Sequence, residues 1–206
     1  MSIAKGCWSW VVPPIVLSIV FFVLSWFSLW FLAGFIPVFC VLVFFLIFFR
    51  DPEREIGDGI ISPADGRIRD LTQNQNQCFI SIFMEVNNVH VNRMPISGRI
   101  TKMTHFPGYH LRAWKKESDL NERVVITIDT ALGEITVVQI AGLIARRIYP
   151  YIKEGDLLKK GDRIGIIRLG SRVDVYLPAE KIQSIPVKIG DPVKAGQDTI
   201  AFIKEK

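Results

Sequence analysis

The sequence predicts a mainly β protein, a β-sandwich or flattened barrel with an internal pseudo-repeat, preceded by an N-terminal hydrophobic helical hairpin. Three observations support this fold class. Residues 6–49 are uncharged and mostly large and apolar. Beyond residue 56, short runs of β-branched and aromatic residues alternate with Gly, Pro, Asn and Asp, as in strands joined by turns. A spaced pattern of glycine and aspartate then recurs near the C-terminus.

The uncharged segment is long enough to cross a membrane twice. A bilayer core of about 30 Å needs about 20 apolar residues in a helix. We expect a first limb over residues 10–31 and a second limb over residues 32–49, with Gly34 and Pro37 near the bend.

The charges on either side of this segment predict its orientation. Lys5 precedes the first limb, and Arg50 and Arg54 follow the second, so the cytoplasmic preference of Lys and Arg places both ends inside. We therefore expect a domain over 1–50 that anchors the chain in the cell membrane and a domain over 51–206 that faces the cytoplasm. A cleaved signal peptide is the alternative, but its apolar region is shorter and a small-residue cleavage site should follow it.

Cysteine usage and charge narrow the classes of function. Cys7 and Cys40 lie in the apolar segment and Cys78 is alone in the body, so no disulfide framework or CxxC metal site can form within one chain. The net charge of +5 comes without a nucleic-acid-binding motif and suits anionic lipid headgroups. There is no P-loop, no GxGxxG and no metal-ligand cluster. We expect neither a nucleic-acid partner nor a metal.

The polar body is predicted to consist of short strands. The runs that are rich in β-branched or aromatic residues are 79–84, 124–128, 135–141, 163–169, 172–177 and 199–203. Residues 104–123 form the most irregular part and are expected to hold a loop or a short helix.

An internal sequence repeat indicates the architecture of the polar domain, 51–206. Residues 155–162 read Gly-Asp-Leu-Leu-Lys-Lys-Gly-Asp, and residues 190–197 read Gly-Asp-Pro-Val-Lys-Ala-Gly-Gln. Each leads into a strand, which favours a pseudo-symmetric β-sandwich with a lipoyl-like pseudo-repeat. Independent turns that use Gly and Asp for ordinary reasons would give the same pattern.

Six motifs follow one another along nearly the whole chain. They are FFRDPER at 48–54, SPADG at 62–66, VHVNRMP at 89–95, NER at 121–123, QIAG through ARRI at 139–148 and LGSR at 169–172. In this order they resemble the phosphatidylserine decarboxylases, in the short, membrane-anchored branch of that pyruvoyl-dependent family.

The resemblance implies that the chain makes its own cofactor. The hydroxyl of Ser171 would attack the carbonyl of Gly170, which has no side chain to crowd the approach. Cleavage would give a β chain, 1–170, and an α chain, 171–206, which remain associated. Ser171 would become a pyruvoyl group that forms a Schiff base with the substrate's amine, so that no external cofactor is needed.

The resemblance also implies a base and its partner. His90 lies in a matching motif and would activate the Ser171 hydroxyl, with Asp65 orienting the imidazole. Long-form relatives carry two histidines three positions apart in this motif, whereas Arg93 stands at the second place here. Whether His90 serves both cleavage and decarboxylation is therefore open.

The substrate implied by the resemblance is a serine phospholipid, converted to its ethanolamine counterpart and CO2. Candidates for its headgroup are Arg146 and Arg147, which follow an apolar run, and Lys115 and Lys116, which follow a tryptophan. An anchored enzyme meets an insoluble lipid at the interface. The sequence leaves open the chemistry of the lipid tails, whether the hairpin spans or dips into the bilayer, and whether the chain forms a homo-oligomer.

Two other functions fit a tethered β domain. A lipoyl- or biotinyl-like carrier would present a lysine in the turn where this chain has Leu-Gly-Ser-Arg. A partner-binding module would need no processing. Both predict a chain that stays intact, whereas the enzyme predicts two pieces.

Overall fold

A computed structural model of the chain describes residues 2–108, 121–142, 148–168 and 171–204. Two units separate by their contacts, Met1–Glu53 and Arg54–Lys206. The first is mainly helical, and the second is almost entirely β.

The first unit is a helical hairpin. Helix α1 spans Trp8–Leu24 and helix α2 spans Trp30–Phe48, and two short antiparallel strands, β1 (Ser2–Ile3) and β2 (Arg50–Asp51), pair beside the chain's entry to α1 and exit from α2. The helices pack closely at Gly34, where a Cβ atom would lie 2.7 Å from Cε1 of Phe21.

The bend of the hairpin lies at residues 25–29 instead of near Gly34 and Pro37, which are both inside α2. The expected bend was wrong because Gly and Pro also occur within apolar helices, where close packing and neighbouring groups accommodate them. The residue that ends α1 is Ser25, whose hydroxyl donates a hydrogen bond to the carbonyl of Phe22 at 2.6 Å.

The hairpin presents its apolar side chains outward. Trp26, Phe27 and Trp30 are 82–86% exposed. Among the described residues, α2 is the helix that is long and apolar enough to cross a membrane, with 19 residues and a mean hydropathy of 2.9, whereas α1 is shorter at 17 residues.

The second unit is built from short strands, which confirms the predicted mainly β fold. Its strands are β3 (Ile60–Ile61), β4 (Gly66–Gln73), β5 (Gln77–Met84), β6 (Val91–Arg93), β7 (Gly98–Phe106), β8 (Arg123–Thr130), β9 (Gly133–Ala141), β10 (Ile148–Pro150), β11 (Leu157–Leu158), β12 (Arg163–Ile167), β13 (Ser171–Pro178), β14 (Ile182–Ser184), β15 (Pro192–Val193) and β16 (Thr199–Ile203). A 3-10 turn, Ala179–Lys181, follows β13.

Within the described residues the strands form one large sheet and two small ones. The large sheet is antiparallel, in the order β11-β7-β8-β9-β13-β5-β4-β15, and the small sheets have the orders β10-β12-β6 and β14-β16-β3. Alternate side chains of the large sheet and apolar residues of both small sheets share one buried core, which includes Ile60, Ile82, Ile164, Val173 and Ile200. Strand β13 lies in the middle of the large sheet.

The internal sequence repeat corresponds to a turn that occurs four times among the described residues. The turns begin at Lys153, Lys159, Lys188 and Lys194, and in each an Asp carboxylate accepts a hydrogen bond from the N–H of that lysine at 2.7–2.9 Å. The third residue is always a glycine with φ between +83° and +95°, a conformation that other residues rarely adopt. The predicted pseudo-repeat is therefore present, with two turns in each copy.

Candidate active site

Ser171 begins the central strand of the large sheet. It pairs with Met84 on β5 and with Ala141 on β9, and it is completely buried. Because side chains alternate along a strand, Ser171 shares the core face with Val173 and Val175. Its hydroxyl donates a hydrogen bond to Sδ of Met84 at 3.2 Å, an unusual acceptor for a buried serine.

Two buried amides complete a polar network beside this hydroxyl. Nδ2 of Asn92 lies 3.6 Å from the same Met84 sulfur, and Nε2 of Gln139 donates to Oδ1 of Asn92 at 2.8 Å. Gln139 pairs with Val173 and therefore lies diagonally beside Ser171 on one face of the sheet. Met84, Asn92 and Gln139 were not predicted as site residues, although Asn92 and Gln139 lie in motifs that carry the family resemblance.

His90 follows a turn at the end of β5. Met84 is the last residue of that strand, and Asn88 closes the turn by accepting a hydrogen bond from the N–H of Glu85 at 2.8 Å. His90 is buried, and its Nδ1 lies 2.9 Å from the carbonyl oxygen of Asn88. A carbonyl only accepts, so Nδ1 carries the proton and Nε2 is the basic nitrogen of the neutral ring.

The backbone connects His90 to the strand that leads into Ser171. The carbonyl oxygen of His90 accepts a hydrogen bond from the N–H of Ile167 at 3.3 Å, and the next strand, β6, pairs with β12. Ile167 ends β12, four residues before Ser171. The His90 segment therefore lies beside the strand that precedes Ser171 in the chain.

Asp65 has four hydrogen bonds to other described residues. Its carboxylate accepts two from Arg54, at 2.7 and 2.9 Å, one from the N–H of Ala195 at 2.8 Å and one from the N–H of Val89 at 3.4 Å. Asp65 therefore reaches His90 through the backbone of the preceding residue, and the group at the ring's Nδ1 is the Asn88 carbonyl.

Comparison with known families shows which family the chain belongs to. A sequence profile described as phosphatidylserine decarboxylase matches residues 41–201, which include Asp65, His90 and Ser171. The chain belongs to the phosphatidylserine decarboxylase family.

Relatives in the phosphatidylserine decarboxylase family come from bacteria and archaea. The phosphatidylserine decarboxylase proenzyme of Streptomyces griseus is 45% identical over 198 residues, which cover 95% of this chain and 91% of the relative. The putative archaetidylserine decarboxylase proenzyme of Methanococcoides burtonii is 44% identical over 205 residues, or 97% of this chain and 95% of the relative. The resemblance seen in the motifs is confirmed.

In this member of the phosphatidylserine decarboxylase family, the opposite face of β13 carries a buried ion pair. Arg172 donates from Nε and Nη2 to Oδ2 of Asp174, at 3.1 and 2.7 Å, and the hydroxyl of Ser81 donates to Oδ1 at 2.6 Å. Both charged residues are on the strand face away from Ser171. This contact was not predicted, although an Arg and an Asp two positions apart on a strand are a signal for it.

Arg93 and His105 have contacts of their own. Arg93, which stands where long-form relatives have a second histidine, is buried, and its Nη1 donates to the carbonyl of Gly161 at 3.1 Å. His105 is exposed on β7, with Nε2 3.1 Å from a carboxylate oxygen of Glu122.

The remaining predicted site residues lie outside the described residues. They are Gly170 and the headgroup candidates Arg146, Arg147, Lys115 and Lys116. Their roles stay predictions. Within the described ranges, no group of three or more His, Cys, Asp or Glu could hold a metal ion.

Proposed function

We propose that this chain is the proenzyme of a phosphatidylserine decarboxylase that cleaves itself between Gly170 and Ser171 and then releases the carboxyl group of a serine phospholipid as CO2. One observation carries the proposal. A serine hydroxyl is completely buried at the first position of the central strand, beside a buried histidine segment, in a chain 45% identical to a decarboxylase proenzyme.

The cleavage proceeds in three balanced steps. The Ser171 hydroxyl attacks the carbonyl carbon of Gly170, an ester C–O bond replaces the peptide C–N bond, and the amine of residue 171 is released. A base then takes the Cα proton of residue 171. The Cβ–Oγ bond of that residue breaks, and the Gly170 carboxylate leaves with the electron pair of this bond. Water finally replaces the nitrogen of residue 171 as ammonia leaves, which produces the pyruvoyl group.

His90 is the proposed base for the first step. A serine hydroxyl is a weak nucleophile until a neighbouring group accepts its proton. The hydrogen bond between Nδ1 and the Asn88 carbonyl fixes the tautomer in which Nε2 is basic. Asp65 stabilises this segment through the N–H of Val89.

The surroundings of residue 171 fit a pyruvoyl group. The site is buried, and the neutral groups of Met84, Asn92 and Gln139 do not compete as amines for its carbonyl. The pyruvoyl group supplies an electron sink for the bond that breaks when CO2 leaves. Oε1 of Gln139 is buried and has no hydrogen-bond partner among the described residues, so it is suited to accept a hydrogen bond from the substrate's amine.

Strand pairing explains how the two pieces stay together. The C-terminal piece would contribute β13, whose two sides pair with β5 and β9, and β16, which pairs with β3. Cleavage before Ser171 and loss of the residue 171 nitrogen leave the hydrogen bonds of residues 172–178 and of β16 in place. The pieces are therefore expected to remain associated without a covalent link.

The hairpin is proposed to hold the enzyme at its lipid substrate in the cell membrane. Helix α2 is apolar along its whole length, and the exposed aromatic residues of the hairpin are suited to lipid. The positive charges of Lys5 and Arg50, which flank the helices, support an orientation with the β unit on the cytoplasmic side.

The proposal is tested by turnover of lipid in vesicles. Purified wild-type protein, incubated with vesicles that contain phosphatidylserine, should release CO2 and form phosphatidylethanolamine in equal amounts, and Ser171→Ala should do neither. Archaetidylserine vesicles, tested in parallel, identify the preferred tails. A wild-type protein that is inert on both lipids would favour the carrier or partner-binding function.

A further inference from the structure

The internal repeat also includes the two segments that form hydrogen bonds with the repeated turns. Residues 62–68 read Ser-Pro-Ala-Asp-Gly-Arg-Ile, and residues 94–100 read Met-Pro-Ile-Ser-Gly-Arg-Ile. The two segments exchange backbone hydrogen bonds, from Ile61 N–H to the Pro95 carbonyl at 3.0 Å and from Arg93 N–H to the Pro63 carbonyl at 2.8 Å. They are therefore two copies of one structural unit.

Equivalent arginines make equivalent contacts in the two copies. Nη1 of Arg67 donates to the carbonyl of Gly190 at 3.2 Å, and Nη1 of Arg99 donates to the carbonyl of Gly155 at 2.9 Å. Each glycine is the third residue of a repeated turn. A contact that is made in both copies is therefore one that the fold requires. The second copy serves as the reference for such contacts.

Asp65 and Ser97 occupy the same position in the two copies. Asp65 accepts a hydrogen bond from the N–H of Ala195 at 2.8 Å, and the hydroxyl of Ser97 accepts one from the N–H of Lys160 at 2.9 Å. Ala195 and Lys160 are the second residues of corresponding turns. A serine is thus sufficient to cap the turn, and the carboxylate of Asp65 must serve a second purpose.

The additional partner of the carboxylate is Arg54. Its two terminal nitrogens bind both oxygens of Asp65, and Nη1 also donates to the carbonyl of Ala195 at 3.0 Å. The side chains of Arg54 and Asp65 are only 7% and 8% exposed. A buried ion pair adds little net stability because both charges lose their hydration. Its effect is on geometry instead, since the two hydrogen bonds from the guanidinium fix the positions of both side chains.

We propose that Arg54 is a positioning residue for self-cleavage, and this inference rests on the proposed function. Arg54, Asp65 and Ala195 form a clasp, which we call the Arg54 clasp. The Asp65 carboxylate of the clasp accepts a hydrogen bond from the N–H of Val89. The clasp therefore fixes the backbone immediately before His90. Ala195 belongs to the piece released by cleavage, so the clasp also joins the two pieces.

The test compares the rate of self-cleavage among four variants and the wild type, each measured a fixed interval below its own Tm. Arg54→Met leaves a buried carboxylate without its cation and should slow cleavage about 10- to 100-fold, the loss expected when a catalytic group is misplaced by about 1 Å. Arg54→Lys keeps the positive charge but loses the paired hydrogen bonds of the guanidinium. Its cleavage rate should lie between those of the wild type and Arg54→Met. Arg54→Met combined with Asp65→Ser removes both charges and keeps the turn cap, but it also removes the acceptor of the Val89 N–H and should cleave no faster than Arg54→Met. A double variant that regains the wild-type rate would show that the unpaired charge alone slows cleavage and would overturn the clasp.

Ser97→Ala is the matched control, because it removes the turn cap at the equivalent position, where the serine forms no ion pair. It should lower Tm and leave the rate at the matched temperature within about twofold of wild type. Equal rates for Arg54→Met and Ser97→Ala, in a wild type that cleaves, would overturn the clasp and leave the proposed function intact. A wild type that never cleaves would overturn the proposed function itself and the clasp's role with it.

Discussion

The hydroxyl of Ser171 donates to Sδ of Met84, the residue directly opposite it on β5. This hydrogen bond holds the hydroxyl, which is the proposed nucleophile, in one orientation inside the sheet. A thioether is a weak acceptor, so it orients the hydroxyl without competing strongly for its proton.

Met84→Leu should slow self-cleavage about fivefold, because the hydroxyl loses an orienting hydrogen bond worth about 1 kcal/mol. Leu is close to Met in volume, so stability should fall by less than about 1.5 kcal/mol. The rate is measured by gel after a pulse of synthesis. Met94→Leu is the matched control, since Met94 is equally buried but is not the acceptor of the Ser171 hydrogen bond, and it should cleave at the wild-type rate.

His90→Gln should reduce the rate of self-cleavage about 10²- to 10⁴-fold, the usual contribution of a general base. The rate is followed by the appearance of the C-terminal piece. His105→Gln, which changes an exposed histidine on β7, should have no effect. If the two variants cleave equally fast, His90 is not the base.

Asp174→Asn should destabilise the β unit by about 3–5 kcal/mol, because Arg172 would stay buried without its anion. Urea unfolding in the Ser171→Ala background, in which we expect no cleavage, measures the change. Replacing both partners, with Arg172→Met and Asp174→Leu, should recover part of the loss. A double variant less stable than Asp174→Asn would contradict this account.

Burial raises the pKa of the Cys78 thiol above its ordinary value of 9.0. The folded protein then holds its proton more tightly than the unfolded chain, so this group's contribution to stability is complete below pH 9 and is lost as the pH rises beyond it. Iodoacetamide should therefore modify Cys78 slowly in the native protein at pH 8 and rapidly after unfolding. Peptide mass spectrometry of the labelled protein measures both rates, and equal rates would show that the thiol is accessible.

The sequence predicted the β fold and its pseudo-repeat because turn chemistry is local. The spacing of Lys, Gly and Asp around Gly155 and Gly190 produces the same turn wherever it occurs. The bend of the hairpin could not be placed, since a uniformly apolar segment has no polar stretch to mark it. Ser25 was the local signal, and Gly34 and Pro37 competed with it.

From the sequence, site residues could be predicted only within the motifs that resemble the family. Ser171 and His90 follow from the family resemblance, and the structure joins their segments. Met84 depends on the register of β5 against β13, which no local pattern specifies. Arg54 is 11 residues from Asp65 in the sequence but 141 residues from Ala195, and only the folded chain shows that all three meet.

Intact-mass spectrometry of the purified protein, with Ser171→Ala beside the wild type, tests the central claim most directly. We expect the wild type to yield two masses, one for residues 1–170 and one for residues 171–206 that is lighter than its sequence by one ammonia, while Ser171→Ala yields one intact chain. A wild-type chain of full mass under native conditions would contradict self-processing.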